Sequence, residues 1–222
     1  MAARPLVILG GGGHSREIVG IVHDINHGAP AFDLVGVLAD DYWDETILDA
    51  LGAPRIGAVA DLAGMEVDYV IAIGDGRARR ELDRFATDAG REAASLVHPS
   101  ATIGLRVTYG PGFVAFPGVR VTTGVRFGRH VHLNLNATVS HDCVVDSYAT
   151  LSPGAALAGR VTVGACSTLG LHAAVVPGAT VGADVTVGAG AVVLRDVAAG
   201  TTVAGVPARP ISATPGPQSP NS

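Results

Sequence analysis

The fold is decided by residues 133–151, LNLNATVSHDCVVDSYATL. An apolar residue recurs there at every sixth position, and the same period extends without interruption from Val97 to Val193. A second series of smaller residues follows four positions behind each of these, with Gly, Asn, Asp and Pro between the two. A period of six residues fits neither the 3.6-residue turn of an α-helix nor the two-residue alternation of an isolated strand. The period therefore predicts short strands joined by tight turns, three to a triangular coil, so that residues 18 apart stack on one another.

Composition limits the class of protein. The chain has 222 residues, 30 of them Gly and 13 Pro, and only 5% are aromatic, as expected for a narrow solenoid core. A net charge of −5 and scattered cations argue against a nucleic-acid partner. The first apolar run is too short for a signal peptide or a membrane span, so we expect a cytoplasmic protein without membrane insertion.

The region before the repeat follows a different pattern. Residues 6–9 form an apolar strand pattern, four glycines follow, and residues 16–27 have helical spacing. Further strands are predicted at 34–38, ending in Asp40 and Asp41, and at 69–73, with a helix over 77–90. Alternating strands and helices indicate a small parallel sheet. We predict a Rossmann-like domain over 1–95, a β-helix over 96–211 and a disordered tail over 212–222.

The glycine loop, comprising Gly10, Gly11, Gly12 and Gly13, is the first candidate for chemistry. Between a strand and a helix it lets backbone N–H groups approach an anion at the helix N-terminus, which favours a phosphate ligand. The alternative is a tight turn that needs glycine for its backbone angles. Because 95 residues supply only half of a doubly wound sheet, a nucleotide-linked small molecule fits better than NAD. Asp40 and Asp41 are either ligand contacts or solubilising loop residues.

The second candidate is His141 with Asp142. His141 follows the apolar Val139 by two positions, which predicts a turn side chain facing out of the solenoid. Eighteen residues further on, Gly159 leaves space for a thin ligand against bare backbone. A histidine can take a proton from an amine or hydroxyl, and an adjacent carboxylate can hold its tautomer. The alternative is a solvated turn histidine.

Several motifs together resemble a known family. They are the loop LGGGGHS at 9–15, AIGD at 72–75, LVHPSA at 96–101, Asn134 seven residues before His141, and AGVPAR at 204–209. The chain resembles the acyltransferases of the sialic acid O-acetyltransferase and UDP-4-amino-sugar N-acetyltransferase (NeuD/PglD) type. This resemblance implies an α/β N-terminal Rossmann-like domain followed by a left-handed parallel β-helix.

The resemblance also implies the activity and its residues. It implies an acetyl-CoA-dependent N-acetyltransferase acting by direct transfer on a nucleotide-linked amino sugar; a sugar or sialic acid O-acetyltransferase is the alternative. The glycine loop with His14 would bind the nucleotide sugar, and the β-helix would form a homotrimer with acetyl-CoA between subunits and no metal. It implies that His141 is the general base and Asp142 its orienting acid, with Asn134 and Asp40 or Asp41 as substrate contacts. It also implies that Thr150 lies near the thioester and that Gly159 donates an N–H to the thioester oxygen. Leu171 and Ala189 would lie along the pantetheine.

Two other classes of protein are alternatives. A zinc β-helix enzyme could use His130, His132, His141 and His172, but no pair of them is separated by a whole number of coils. A non-catalytic nucleotide-binding scaffold is the other alternative. The intact His141–Asp142 pair beside Gly159 argues against it.

Overall fold

The computed structural model describes residues 3–43 and 45–211, so the predicted tail lies outside the described residues. The chain begins with an α/β unit whose parallel sheet has the order β3-β2-β1-β4. Its elements are β1 Arg4–Gly11, α1 Gly13–Asn26, β2 Phe32–Trp43, α2 Glu45–Ala50, β3 Arg55–Gly57, a 3₁₀ helix Val59–Gly64, β4 Asp68–Ile71 and α3 Gly76–Asp88.

Both faces of this sheet are buried, which is why its central strand is a continuous apolar run. Leu6 and Ile8 of β1 belong to the core that includes the apolar face of α1, whereas Val7 and Leu9 belong to a second core with Tyr69 of β4. The predicted first strand and first helix are confirmed.

The sequence interpretation of this sheet was incomplete in two places. β2 does not end at Asp40 and Asp41 but runs on to Trp43, because Trp43 pairs with Gly11 of β1. The strand β3 was not predicted; it pairs in parallel with β2 and is only three residues long. Such a short strand gives too few residues for a period to be detected.

The hexapeptide region forms a parallel β-helix whose strands pair at intervals of 18 residues, as in Leu133 with Leu151 and Val139 with Leu157. Its first face contains β5 Leu96–Val97, β8 Val114–Ala115, β11 His132–Leu133, β14 Thr150–Leu151, β17 Thr168–Leu169, β20 Thr186–Val187, β22 Thr202–Ala204 and the antiparallel β23 Arg209–Pro210.

The other two faces follow in chain order. The second face contains β6 Thr102–Ile103, β9 Arg120–Val121, β12 Thr138–Val139, β15 Ala156–Leu157, β18 Ala174–Val175 and β21 Val192–Val193. The third face contains β7 Thr108–Tyr109, β10 Arg126–Phe127, β13 Val144–Val145, β16 Thr162–Val163 and β19 Thr180–Val181. Both predicted series fill the interior along most of the solenoid, with Val139, Leu151, Ala137 and Ala149 essentially buried.

The turns between faces form three edges, which we name by the faces they join. Edge 1–2 carries Asn136 and His172, edge 2–3 carries Asp142 and Arg160, and edge 3–1 carries Tyr148, all with positive φ such as +59° at Asp142. The α/β unit lies on the first face and on edge 3–1. No helix among the described residues is long and apolar enough to cross a membrane.

Candidate functional site

A cavity of about 570 Å³ lies beside the glycine loop, where β1, β2 and β4 end. All four loop glycines and His14 line it, together with Asp40, Ala72, Ile73 and Gly74. In open parallel sheets, ligands bind outside these carboxyl ends. The structure therefore brings the glycine loop, His14 and Asp40 to one cavity; the side chain of Asp41 lies outside the described residues.

The backbone of the glycine loop has two different requirements. Gly10 has φ +112°, and a Cβ there would meet Ile73 at 3.0 Å, so only glycine suits this position. Gly12 is the N-cap of α1 with an ordinary negative φ, and a Cβ there would meet nothing within 4 Å. Its missing side chain leaves room at a helix N-terminus, which is suited to an anion.

Asp40 and His14 are already held in place at the walls of the cavity. One carboxylate oxygen of Asp40 accepts a hydrogen bond from the Val59 N–H at 2.8 Å. His14 Nδ1 lies 3.0 Å from the Glu17 carboxylate, and its Nε2 lies 3.2 Å from Nδ1 of His132 on the first face. The His14 ring also stacks on Phe116 at 5.3 Å. The cavity is thus fixed to the first face of the β-helix.

His132 and His130 are buried, which the turn-and-strand pattern did not reveal. Burial lowers the pKa of His132 well below its usual range and also lowers the pKa of His130, so both rings are neutral. His130 Nε2 lies 2.8 Å from the Asp83 carboxylate. Within the chain, these two histidines do not converge with His141 or His172, which lie on other edges, so they form no zinc site of the kind considered above.

Arg79 and Asp83 of α3 join the two parts of the chain. The fully buried Arg79 donates hydrogen bonds to the carbonyl groups of Ile73 and Gly74 and to that of Tyr148 on the β-helix. Burial lowers its pKa to about 10, so it remains charged at neutral pH. One signal for this junction is present in the sequence: Arg79 and Asp83 are four residues apart, on one face of α3.

Asp83 accepts hydrogen bonds from Arg129, His130, Tyr69 and Tyr148. Burial alone would raise the pKa of Asp83, but the bonds from His130 and Arg129 outweigh it and hold the pKa far below the usual range. The carboxylate therefore stays ionised inside the junction.

Two residues implied to bind substrates are buried at or near this junction. The Thr150 hydroxyl accepts from Arg79 at 2.9 Å and donates to the Gly74 carbonyl at 3.1 Å. Asn134 is 9% exposed, and its amide donates to the Leu151 carbonyl at 2.9 Å. The Thr150 side chain thus serves the junction, and the contacts of both residues with substrates stay predictions.

The His141–Asp142 pair lies on edge 2–3, with both side chains exposed. Nδ1 of His141 is 2.9 Å from the Asp142 carboxylate. Because a carboxylate only accepts, Nδ1 is the nitrogen that carries the proton in the neutral ring, and the Nε2 lone pair is then available. A Cβ at Gly159 would overlap Nε2 and Cε1 of this ring, so the imidazole itself occupies the space that Gly159 leaves. The Gly159 N–H donates to no group in the described part of the chain.

The remaining implied contacts lie elsewhere on the solenoid. Leu171 and Ala189 are on edge 1–2, whereas His141 and Gly159 are on edge 2–3. Edge 2–3 is opposite the first face, on which the glycine-loop cavity lies. One chain therefore does not bring its glycine-loop cavity and its candidate base together.

The described residues with metal-ligand spacing are His23 and Asp24 of α1 and His27 directly after it, all exposed. Asp24 is also bonded to His98, with Nε2 at 2.9 Å. They lie apart from both parts of the candidate site.

Comparisons with known proteins agree with this architecture. Residues 5–84 match the family model described as the PglD N-terminal domain. The acetyltransferase domain of PglB from Neisseria gonorrhoeae FA1090, solved with acetyl coenzyme A, is 32% identical; the match covers 95% of this chain and 100% of that chain, with a TM-score of 0.86.

Two further relatives act on or bind perosamine. PerB from Caulobacter crescentus, solved with CoA and GDP-perosamine, is 33% identical over 95% of this chain and 99% of that chain, with a TM-score of 0.85. A GDP-perosamine N-acetyltransferase of Escherichia coli O157:H7 is 27% identical over 156 residues, 70% of this chain and 71% of the relative.

A glycine-loop α/β unit joined to a hexapeptide solenoid, together with the similarity to the PglB and PerB structures, defines a left-handed β-helix acyltransferase. The chain belongs to the NeuD/PglD-type family of acetyl-CoA-dependent sugar acetyltransferases. The resemblance found in the sequence and the predicted fold class are confirmed.

Proposed function

We propose that this enzyme transfers the acetyl group of acetyl-CoA to the amino group of a nucleotide-linked amino sugar. The observation that carries the proposal is the His141 ring, which Asp142 holds beside the backbone N–H of Gly159. Neither Nε2 of this ring nor that N–H has a hydrogen-bond partner among the residues that the structure describes. The relative PerB, similar over nearly the whole chain, binds CoA together with GDP-perosamine. We also propose that the reaction takes place in the cytoplasm.

In the proposed reaction, the substrate amine attacks the thioester carbon and His141 Nε2 takes its proton. The C–S bond then breaks, and CoA leaves as the thiol after the imidazolium returns the proton to its sulfur. Asp142 stabilises the imidazolium that forms, and the Gly159 N–H faces the developing oxyanion. No covalent enzyme intermediate is needed. Cys143 lies next to this pair in sequence, but its thiol is buried and burial raises its pKa, so it is not a nucleophile.

We propose a homotrimer in which each site combines two subunits. The glycine-loop cavity of one subunit would face His141 of the next, because the two lie on opposite sides of one solenoid. Leu105, Leu135, Leu171 and Leu194 are between 37% and 82% exposed on edges 1–2 and 2–3, away from the α/β unit. These exposed leucines favour a subunit contact there.

A steady-state assay of acetyl-CoA turnover with GDP-perosamine tests the activity, and light scattering tests the trimer. We expect CoA release and an acetamido product from a trimeric enzyme. The same sugar with a hydroxyl in place of the amine tests O-acetylation: faster turnover of this compound would favour the O-acetyltransferase alternative. A monomer at micromolar concentration would contradict the two-subunit site.

A further inference from the structure

A second cavity lies on edge 2–3 beside the candidate base. Its volume is about 710 Å³, and its lining includes Arg106, Thr108, Thr123, Arg126 and Asp142. Asp142 is the residue that holds His141, so this cavity adjoins the place where the amine must react. It extends from Asp142 toward the N-terminal coils of the solenoid.

The cavity carries two unpaired cations. Arg106 and Arg126 are both exposed, and neither guanidinium group makes a hydrogen bond or ion pair within the described part of the chain. Some other surface arginines are engaged, among them Arg77 with Asp184 and Arg120 with the Ser100 carbonyl. Two free guanidinium groups at one cavity can bind the oxygens of a diphosphate.

The lining of the glycine-loop cavity differs in charge from that of the second cavity. Its lining contains the acidic Asp40 and Glu81, and among the described residues no Arg or Lys lines it. A diphosphate held there would have backbone N–H groups and the partial charge of a helix N-terminus, but no cationic side chain of its own subunit among these lining residues. Arg16 of α1 approaches the loop from the same subunit, with its Nη2 3.4 Å from the position that a Cβ on Gly13 would take. A diphosphate carries more negative charge than one guanidinium neutralises, so a partner subunit can supply further counter-charge.

The heights of the two cavities along the solenoid match. His14 of the glycine-loop cavity contacts Phe116 and His132, and the coil between these two residues passes edge 2–3 at Thr123 and Gly124. In a cyclic trimer with its axis along the solenoid, residues of the same number lie at the same height in every subunit. The second cavity of one subunit thus lies level with the glycine loop of another.

We propose that Arg106 and Arg126 bind the diphosphate of the nucleotide sugar that the partner subunit's glycine loop holds. This inference rests on the proposed function and its two-subunit site. The diphosphate of CoA is the other source of the same chemistry. The nucleotide sugar is the better match, because Gly159, Leu171 and Ala189, the contacts implied for the acyl donor, lie on the C-terminal side of His141, away from this cavity.

The test is steady-state kinetics of Arg106→Gln and Arg126→Gln with GDP-perosamine and acetyl-CoA. Arg160→Gln is the matched control, since Arg160 is exposed on the same edge with φ +60°, close to the +58° of Arg106, but on the other side of Asp142. We expect the KM for GDP-perosamine to rise roughly tenfold or more in each test variant. The KM for acetyl-CoA should stay nearly unchanged, and Arg160→Gln should leave the KM for GDP-perosamine unaltered.

Inhibition by GDP and by guanosine separates phosphate recognition from base recognition. The two test variants should weaken inhibition by GDP and leave inhibition by guanosine as in the wild type. A rise in the KM for acetyl-CoA alone would assign the arginines to CoA and overturn the proposal, as would unchanged constants for both substrates or loss of the trimer. Absence of turnover by the wild type would instead contradict the proposed function.

Discussion

The imidazole of His141 lies directly over the α-carbon of Gly159 on the next coil, in the space that any side chain at that position would fill. The neighbouring coil thereby supports the ring whose other side is fixed by Asp142. Glycine at 159 is therefore a condition for this position of the candidate base.

Gly159→Ala should lower kcat roughly tenfold or more, because the new methyl group displaces the ring from its place beside the Gly159 N–H. The melting temperature should change little, since His141 is exposed and can turn outward. Gly20→Ala is a suitable control: Gly20 is exposed on α1, and a Cβ there meets nothing within 4 Å. Wild-type kcat in Gly159→Ala would show that the ring position does not matter.

His141→Ala should lower kcat by roughly 10²- to 10⁴-fold, the usual range for a lost general base. Asp142→Asn should cost less, because the amide oxygen can still accept from Nδ1 but cannot balance the imidazolium charge. Asn also tolerates the φ of +59° at this position. Rapid-quench measurement of acetyl transfer checks both variants, and near-wild-type rates for His141→Ala would remove this residue from the mechanism.

Gly12→Val should raise the KM for the nucleotide sugar and leave the KM for acetyl-CoA nearly unchanged. The valine has room in the fold but fills the cavity at the helix N-terminus. Gly10→Val is the contrasting variant: there φ is +112° and Ile73 is close, so it should lower the melting temperature. Equal losses for both substrates in Gly12→Val would contradict a phosphate role for the loop.

Subunit mixing tests the two-subunit site. Trimers co-expressed from Gly12→Val and His141→Ala chains should recover activity, since one chain supplies an intact loop and the other an intact base. With random assembly, roughly a quarter of the sites combine both intact elements. Differently tagged chains allow mixed trimers to be isolated and assayed. Mixed trimers no more active than the separate variants would place the whole site in one chain.

Asp83→Asn should destabilise the protein by about 3 kcal/mol or more at pH 7, because it removes the buried partner of Arg129 and His130. The folded state holds the pKa of Asp83 far below the unfolded value near 4. Its contribution is complete above that value and falls as the pH drops below it, so the difference between wild type and variant should shrink in acid.

Urea unfolding at neutral pH and near pH 3.5, at one protein concentration, measures this difference. Asp24→Asn, which alters an exposed carboxylate bonded to His98, is the control and should have a much smaller effect. A difference between wild type and Asp83→Asn that grows in acid would contradict the assigned ionisation.

The parts of the molecule that repeat were predictable. Val139 and Val145 are buried and His141 points outward as their period requires, since neighbours on the same chain determine these directions. Exceptions occur where the solenoid begins, and Tyr109 is 44% exposed there because few coils precede it.

The junction was not predictable in the same way. His130 and His132 are buried because side chains from the α/β unit cover them, with Asp83 and His14 as their partners. His14 is 118 residues from His132 in the sequence, and Asp83 is 47 residues from His130. No repeat period relates either pair. Thr150 likewise owes its contacts to Arg79, which only the folded chain brings near.

The contacts of Arg79 bear on how the enzyme discriminates among sugars. Its guanidinium group donates to the carbonyl groups of Ile73 and Gly74, which line the glycine-loop cavity. The same group also donates to the β-helix backbone at Tyr148. These bonds tie the cavity wall directly to the solenoid. We therefore expect discrimination among sugars to depend on fit to a preformed frame rather than on closure of one domain over the other.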